Sequence, residues 1–107
     1  PGMMPKHYAP STPLIITRDI RSYSQRSDVG CILLRRSSSA FRGPVEYLSC
    51  DGDLREAAGN LYRAMRLLDA MSLSLIAVER VPDTGLGAAI NDRLSRAASK
   101  SFSGTEP

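Results

Sequence analysis

Short runs of apolar, often β-branched residues recur along this chain, separated by stretches whose apolar positions follow a helical period. Four such runs predict buried β-strands, at residues 14–17, 31–34, 45–48 and 75–78. Continuous apolar runs of this length, without polar alternation, are typical of strands that are covered on both faces, as in parallel sheets.

Two longer segments have the pattern of amphipathic helices. Asp53 and Glu56 have capping-box spacing, and they precede a stripe of apolar residues at steps of three and four that predicts a helix of about five turns. The stripe consists of Leu54, Ala57/Ala58, Leu61, Met65 and Leu68. A last helix is predicted after residues 81–84, with an inner face formed by Leu86, Ile90, Leu94 and Ala97/Ala98. Looser periodicity predicts a short helix within residues 19–28.

The predicted order of elements is β-α-β-β-α-β-α, which indicates an α/β fold: a small three-layer domain with a mainly parallel sheet of four to five strands. Residues 1–13 contain four prolines and form a predicted extended arm, built to lie on another surface. Residues 14–100 form the predicted domain, and residues 101–107 a frayed tail. We expect the arm to be mobile in isolation, because its anchoring side chains would have nothing to pack against.

Composition narrows the class of protein. The 107 residues suffice for one domain, and no apolar run approaches the ~20 residues of a membrane-spanning helix. The first residue is proline rather than methionine, which suggests a fragment. Two cysteines, one histidine and no CxxC pair argue against a zinc site and for a reduced, cytoplasmic compartment. The net charge is +3, with the basic excess in residues 1–50, where a solvated surface is favoured over a phosphate-bearing ligand.

No active site can be assembled from these residues. Gly85 and Gly87 resemble part of a dinucleotide-binding fingerprint, but its third glycine is replaced by Ile90, so a tight strand-to-helix turn is favoured over an anion site. Glu79 ends an apolar strand, where ligand groups often lie, although a salt bridge with Arg80 or Arg93 explains it as well. Asn91 and Arg93 either flank the buried stripe and fix the loops above it or are solvated residues of the helix, and the sequence favours neither interpretation.

Three further groups have simpler explanations than catalysis. Cys31 leads an apolar run, which favours a buried thiol. Cys50 precedes the long helix and is more typical of a structural cysteine at a strand end than of an activated thiolate. Asp51 and Asp53 are explained by helix capping rather than by paired acid–base chemistry.

Two segments resemble a known family. The arm, with the pattern PGM-x-x-x-HYAP followed by a proline–leucine pair, is similar to the interdomain linker of the two-domain threonylcarbamoyl-AMP synthases. The second segment is similar to the C-terminal domain of the same family. The family pattern is N-L-[FY], then L-x-x-L-D, a glutamate, G-L-G-x-A-[IL]-x-[ND]-R-L and a closing pair of alanines. Residues 60–98 are similar to it, with Leu67-Leu68-Asp69 at the second motif. The resemblance covers nearly the whole chain.

The resemblance implies a Rossmann-like, non-catalytic domain with a linker that folds back over a catalytic cavity. In the family, the reaction of threonine, bicarbonate and ATP belongs to a YrdC-type domain, which this chain lacks; any ATP or Mg²⁺ would therefore belong to that domain. His7 and Tyr8 match the linker's HY pair and become candidates for gating a nucleotide site. Position 11 is Ser, where many relatives carry a basic residue, so a phosphate contact is not expected there. The partners expected are a YrdC-type domain and, through the linker, its ATP and threonine.

Glu79, Gly85, Gly87, Asn91 and Arg93 stay candidates for a domain interface or a ligand. Two alternatives remain open. The chain could be an independent nucleotide-binding module, on the basis of the Gly85/Gly87 turn and the expected crevice of the sheet. It could also bind tRNA through its basic front half, although no tryptophan and few aromatic residues offer stacking platforms. No membrane partner is expected.

Overall fold

A computed structural model describes residues 8–101 and the side chains of residues 8–99. Its elements are β1 (Leu14–Thr17), a 3₁₀ turn (Ile20–Tyr23), β2 (Val29–Arg35), β3 (Val45–Ser49), α1 (Leu54–Asp69), β4 (Leu75–Glu79) and α2 (Leu86–Ser101). The four strands form one all-parallel sheet in the order β1-β4-β2-β3. The predicted α/β class and parallel sheet are confirmed.

Helices α1 and α2 pack side by side on one face of the sheet. Most of the stripe predicted on α1 is buried there, as Met65 and Leu68 are fully buried against strand residues such as Ile32 and Ile76. Leu54 is only half-buried, and Ala58 is exposed. Burial of apolar side chains is the main stabilising contribution to this layer.

The opposite face has a thinner cover than a helix would provide. The predicted helix within residues 19–28 is reduced to the four-residue 3₁₀ turn, which places Ile20 and Tyr23 against the sheet. Phe41, from the loop between β2 and β3, packs on the same cluster. The turn and the loop together cover part of the apolar side chains of this face, among them Ile15 and Leu33. The third layer predicted from the sequence is therefore formed by irregular chain.

Helix α1 begins where the sequence predicts. Asp53 is its N-cap, and its carboxylate accepts hydrogen bonds from the backbone N–H groups of Arg55 and Glu56. Glu56 does not complete the expected capping box; its Oε1 lies 2.6 Å from the hydroxyl of Ser49, and that hydroxyl accepts the N–H of Asp53. The sheet end and the helix start are thus joined through one serine.

Neither helix within residues 8–101 has the length and hydropathy needed to cross a bilayer.

Candidate functional site: the docked arm

The end of the arm is fixed to the C-terminal end of α1 by one carboxylate. Asp69 accepts hydrogen bonds from the backbone N–H of Ser11 (3.2 Å), the backbone N–H of Thr12 (2.9 Å) and the hydroxyl of Thr12 (2.8 Å). Burial raises the pKa of Asp69, but the three donors outweigh it and the pKa lies below its ordinary value. The carboxylate is therefore held in its charged form.

Further contacts extend this docking on both sides of Asp69. Pro10 and Thr12 are buried, and the carbonyl of Pro13 accepts the N–H of Ile76, so the arm pairs with β4 just before β1 begins. Residues 8–13 therefore have a packing surface on their own domain, which the expectation of a mobile arm did not foresee. The mobility of the arm stays a prediction.

Tyr8 lies on the exposed side of α1 in an aromatic contact. Its ring meets that of Tyr62 edge to face, with centroids 4.9 Å apart and planes at 88°. The guanidinium of Arg66 lies over the other ring, 5.6 Å from the centroid of Tyr62. Burial first, and then the nearby Asp69, raise the pKa of Tyr8, so its phenol stays protonated and able to donate a hydrogen bond.

A shallow groove of about 370 Å³ borders this aromatic pair, lined by Tyr62, Arg63, Arg66, Leu67 and Ala70. Leu67 is 40% exposed and the nearby Met71 47% exposed. The surface around Tyr8 thus combines aromatic, aliphatic and cationic side chains. His7, the other half of the predicted pair, lies outside the described residues.

The glycine-containing segment forms the turn that the sequence favoured. Gly85 has a φ of 54°, in the left-handed region, and a Cβ on Gly87 would collide with the carbonyl oxygen of Pro82. The N–H of Gly87 donates to Thr84, and that of Ala88 donates to Gly85. Both glycines are therefore explained by the path of the backbone between β4 and α2.

Asn91 is 3% exposed and fastens the same turn. Its side chain accepts the N–H of Val81 (3.2 Å) and donates to the carbonyl of Val81 (2.8 Å) and to Asp83 (3.3 Å). Asn91 thus fixes the loop that precedes α2, which is one of the two roles considered for it. Arg93 plays no part in this fastening, because it is exposed and lies beside Ala89, Asp92 and Arg96.

The salt bridge considered for Glu79 is wrong. Its Oε1 accepts the backbone N–H of Leu34 at 3.0 Å, whereas Arg80 pairs with Asp83 at 3.6 Å. Glu79 is the last residue of β4 and pairs in register with Thr17 of β1. Its carboxylate contacts Leu34 of β2, the neighbouring strand on the other side of β4.

Two other expectations hold. The thiol of Cys31 is buried, and burial raises its pKa to about 11, so it is inert as a nucleophile. Asp53 is the helix cap described above, and Asp51 accepts from the Ser49 hydroxyl at 2.9 Å, which lowers its pKa.

The docking residues Asp69 and Tyr62 had no predicted role, although both stand in the family pattern. A carboxylate at the very end of an apolar helical stripe could have indicated such a role. Negative charge at a helix C-terminus is unfavourable unless hydrogen-bond donors compensate it. The donors themselves lie 57 and 58 positions away, and no local pattern points to them.

These features define a class: a small α/β domain with a parallel sheet, whose proline-rich arm is fixed to its first long helix. The family model described as "Threonylcarbamoyl-AMP synthase, C-terminal domain" matches residues 1–99. The chain belongs to this family and corresponds to the C-terminal domain of such synthases.

Relatives support this assignment. The chain is 34% identical to the threonylcarbamoyl-AMP synthase of Bacillus subtilis (strain 168) and 31% identical to that of Pyrococcus abyssi (strain GE5 / Orsay). Each match covers 92% of this chain and 31% of the relative, so the chain spans about a third of the length of these proteins.

Two solved structures share the fold. P. abyssi Sua5 complexed with L-threonine matches with a TM-score of 0.67 and 29% identity, over 100% of this chain and 34% of that one. A P. abyssi Sua5 variant, with an adjacent histidine–tyrosine pair replaced by alanines, matches with a TM-score of 0.64 and 27% identity, over 91% and 30% of the two chains.

Proposed function

We propose that this chain is a non-catalytic accessory domain that anchors and orients a gating linker for a YrdC-type catalytic domain, present in the same polypeptide or supplied separately. The reaction served is the formation of threonylcarbamoyl-AMP and pyrophosphate from L-threonine, bicarbonate and ATP, for tRNA modification. The observation that carries the proposal is the docking of the arm by Asp69. It fixes the C-terminal end of the linker at one place on α1.

Anchoring of this kind matters for gating because a linker fixed at one end searches less space. The three hydrogen bonds to Asp69 and the contact between Tyr8 and Tyr62 hold residues 8–12 on the domain. A segment that is pre-organised in this way loses less conformational entropy when it closes over a ligand. The domain then acts as a fixed anchor for the part of the linker that precedes Tyr8.

His7 and Tyr8 are the residues proposed to reach the nucleotide or threonine. An imidazole and a protonated phenol can both donate hydrogen bonds to phosphate or carboxylate oxygens. The raised pKa of Tyr8 keeps its phenol in the donor form. In the P. abyssi Sua5 variant, an adjacent histidine and tyrosine are replaced by alanine. The adjacent His7 and Tyr8 of this chain are the pair to replace in the same way.

The test measures pyrophosphate release that depends on threonine and bicarbonate, with a YrdC-type domain alone, with this chain added, and with the two fused. We expect no turnover by this chain alone, and an increase when both parts are present. Turnover by the 107 residues alone, or a catalytic domain indifferent to the chain, would overturn the proposal.

Substitutions then separate anchoring from contact with the ligand. Tyr8→Phe keeps the aromatic contact and removes only the hydroxyl, whereas Tyr8→Ala removes both. If the hydroxyl acts on the ligand, both variants lose activity; if Tyr8 only anchors, Tyr8→Phe keeps it. Arg55→Gln, an exposed change on α1, is the control expected to behave like the unmodified chain.

A further inference from the structure

The carboxyl ends of β2 and β4 form a crevice that the docked arm does not use. In the strand order β1-β4-β2-β3, the chain leaves β2 toward β3, at one end of the sheet. It leaves β4 toward α2, which packs over β1 at the other end. The chain therefore leaves these two neighbouring strands in opposite directions. In open α/β sheets, such a switch point is where a crevice opens and ligands bind.

The crevice has a volume of about 400 Å³, within the usual range for small-molecule sites. It is lined by Ile20, Arg21, Leu33, Arg35, Arg36, Ser37, Ser38 and Glu79. These residues come from the 3₁₀ turn, the end of β2, the following loop and the end of β4. Four separate segments thus contribute to one concave surface.

The charge of this surface is positive and only partly compensated. Within residues 8–99, none of the three arginines is in an ion pair with a carboxylate. Arg36 lies over the ring of Tyr47, 5.2 Å from its centroid, and Arg35 acts electrostatically on Asp51. Three guanidinium groups against the single carboxylate of Glu79 leave two net positive charges in the lining.

The polar groups beside the arginines suit an ester of phosphate. The hydroxyls of Ser37 and Ser38 are additional donors, and the N–H of Ser39 donates to Ser37 Oγ at 3.0 Å, which shapes the loop. Glu79 is held in place because its Oε1 accepts the N–H of Leu34. A fixed carboxylate oxygen beside cations is a natural acceptor for a sugar hydroxyl.

We infer that this crevice binds a small phosphate ester of a sugar, with Arg21, Arg35 and Arg36 on the phosphate and Glu79 on a hydroxyl group. The site is separate from the proposed gating arm, which joins the domain at the opposite, amino-terminal edge of the sheet. It lies within this chain and requires no catalytic domain.

Calorimetric titration of the full chain tests the assignment with four probes: inorganic pyrophosphate, ribose 5-phosphate, AMP and ribose. We expect ribose 5-phosphate or AMP to bind, ribose itself to bind far more weakly, and the double variant Arg21→Gln/Arg36→Gln to lose about tenfold or more in affinity, as expected when charge-assisted hydrogen bonds are removed. Arg55→Gln removes the same charge outside the crevice and should leave the affinity unchanged.

Glu79→Gln distinguishes recognition of the phosphate by the arginines from recognition of the sugar hydroxyl by Glu79. It keeps an oxygen for the N–H of Leu34 but removes the negative charge. Binding of pyrophosphate should be unchanged or tighter, while binding of ribose 5-phosphate should weaken relative to pyrophosphate. Thermal unfolding of each variant shows whether the fold is retained, and heteronuclear NMR shifts at residues 20–21 and 35–38 locate binding in any variant of reduced stability.

Four results would overturn the inference. These are no binding of any phosphate probe at millimolar concentration, equal losses in Arg55→Gln and the double variant, shifts confined to residues outside the crevice, or tighter binding of an RNA oligonucleotide through the same arginines. The last result would assign the surface to a nucleic acid instead.

Discussion

The charged groups at the two edges of the sheet differ in whether they have partners within the fold. At the amino-terminal edge, the carboxylate of Asp69 is fully engaged by the backbone and hydroxyl of the arm. At the carboxyl-terminal edge, Arg21, Arg35 and Arg36 line an open crevice without a carboxylate in ion-pair contact, within the described residues. One edge is completed by the chain itself, whereas the other presents its charges to solvent.

This contrast shows where stability and function are separated in the domain. Groups that hydrogen-bond within the fold contribute to the free energy of unfolding, and their removal leaves partners unsatisfied. Exposed cations contribute little to that free energy, so they are free to serve binding. At the carboxyl edge, Asn91 stabilises the turn between β4 and α2 through its hydrogen bonds with Val81.

The greatest loss of stability is expected when Asn91 is replaced. Asn91→Leu removes both hydrogen bonds to the buried Val81 and leaves its backbone groups without partners, so we expect a loss of about 3 kcal/mol in the free energy of unfolding. Urea denaturation measures it. Asp92→Ala, one residue further on an exposed position, removes only a surface pair with Arg96 and should cost less than about 0.5 kcal/mol. Equal costs for the two would show that Asn91 does not fasten the turn.

Release of the arm comes next in size. Asp69→Ala leaves the N–H groups of Ser11 and Thr12 and the Thr12 hydroxyl without their acceptor, and we expect a loss of about 2 kcal/mol. Large NMR shifts at Ser11 and Thr12, with α2 unchanged, would locate the loss in the arm. A variant as stable as the parent would contradict the docking role of Asp69.

Low pH should also release the arm, because protonation of Asp69 weakens its hydrogen bonds and lowers the free energy of unfolding. Because the pKa of folded Asp69 lies below its ordinary value, its contribution to stability is complete above about pH 4 and is lost as the pH falls through the lowered value. Asp69→Asn cannot titrate, so the stability gap between the parent and this variant should shrink between neutral pH and pH ~3. Asp28 and Asp51, whose pKa values are also lowered, are common to both proteins and cancel. A constant gap would contradict the prediction.

The weakest effects on stability are expected at the crevice. Arg21→Gln should change the free energy of unfolding by less than about 0.5 kcal/mol, because no ion pair is lost. Arg36→Gln should cost about 0.5 kcal/mol, for its contact with the ring of Tyr47. Urea denaturation of both variants checks this. A loss as large as that of Asp69→Ala would remove the contrast between the two edges.

The local elements were predictable because their signals are local. The stripe on α1, the cap at Asp53 and the apolar runs of the four strands agree with the structure within a few residues. The helix expected within residues 19–28 is only a four-residue 3₁₀ turn, in keeping with the loose periodicity of that segment. Glu79 was placed correctly at a strand end, but its partner was not predictable because Leu34 lies on another strand.

Patterns within the chain were enough to establish the class of fold, the family and the presence of an arm, because periodicity, capping and motif spacing are properties of neighbouring residues. Folding was needed to show that Asp69 holds the arm and that Arg21, Arg35 and Arg36 share one crevice. Those groupings join residues that are distant along the chain, and the order of strands in the sheet brings them together. A parallel sheet places strand ends at common edges, so strand order, rather than sequence proximity, selects which side chains meet.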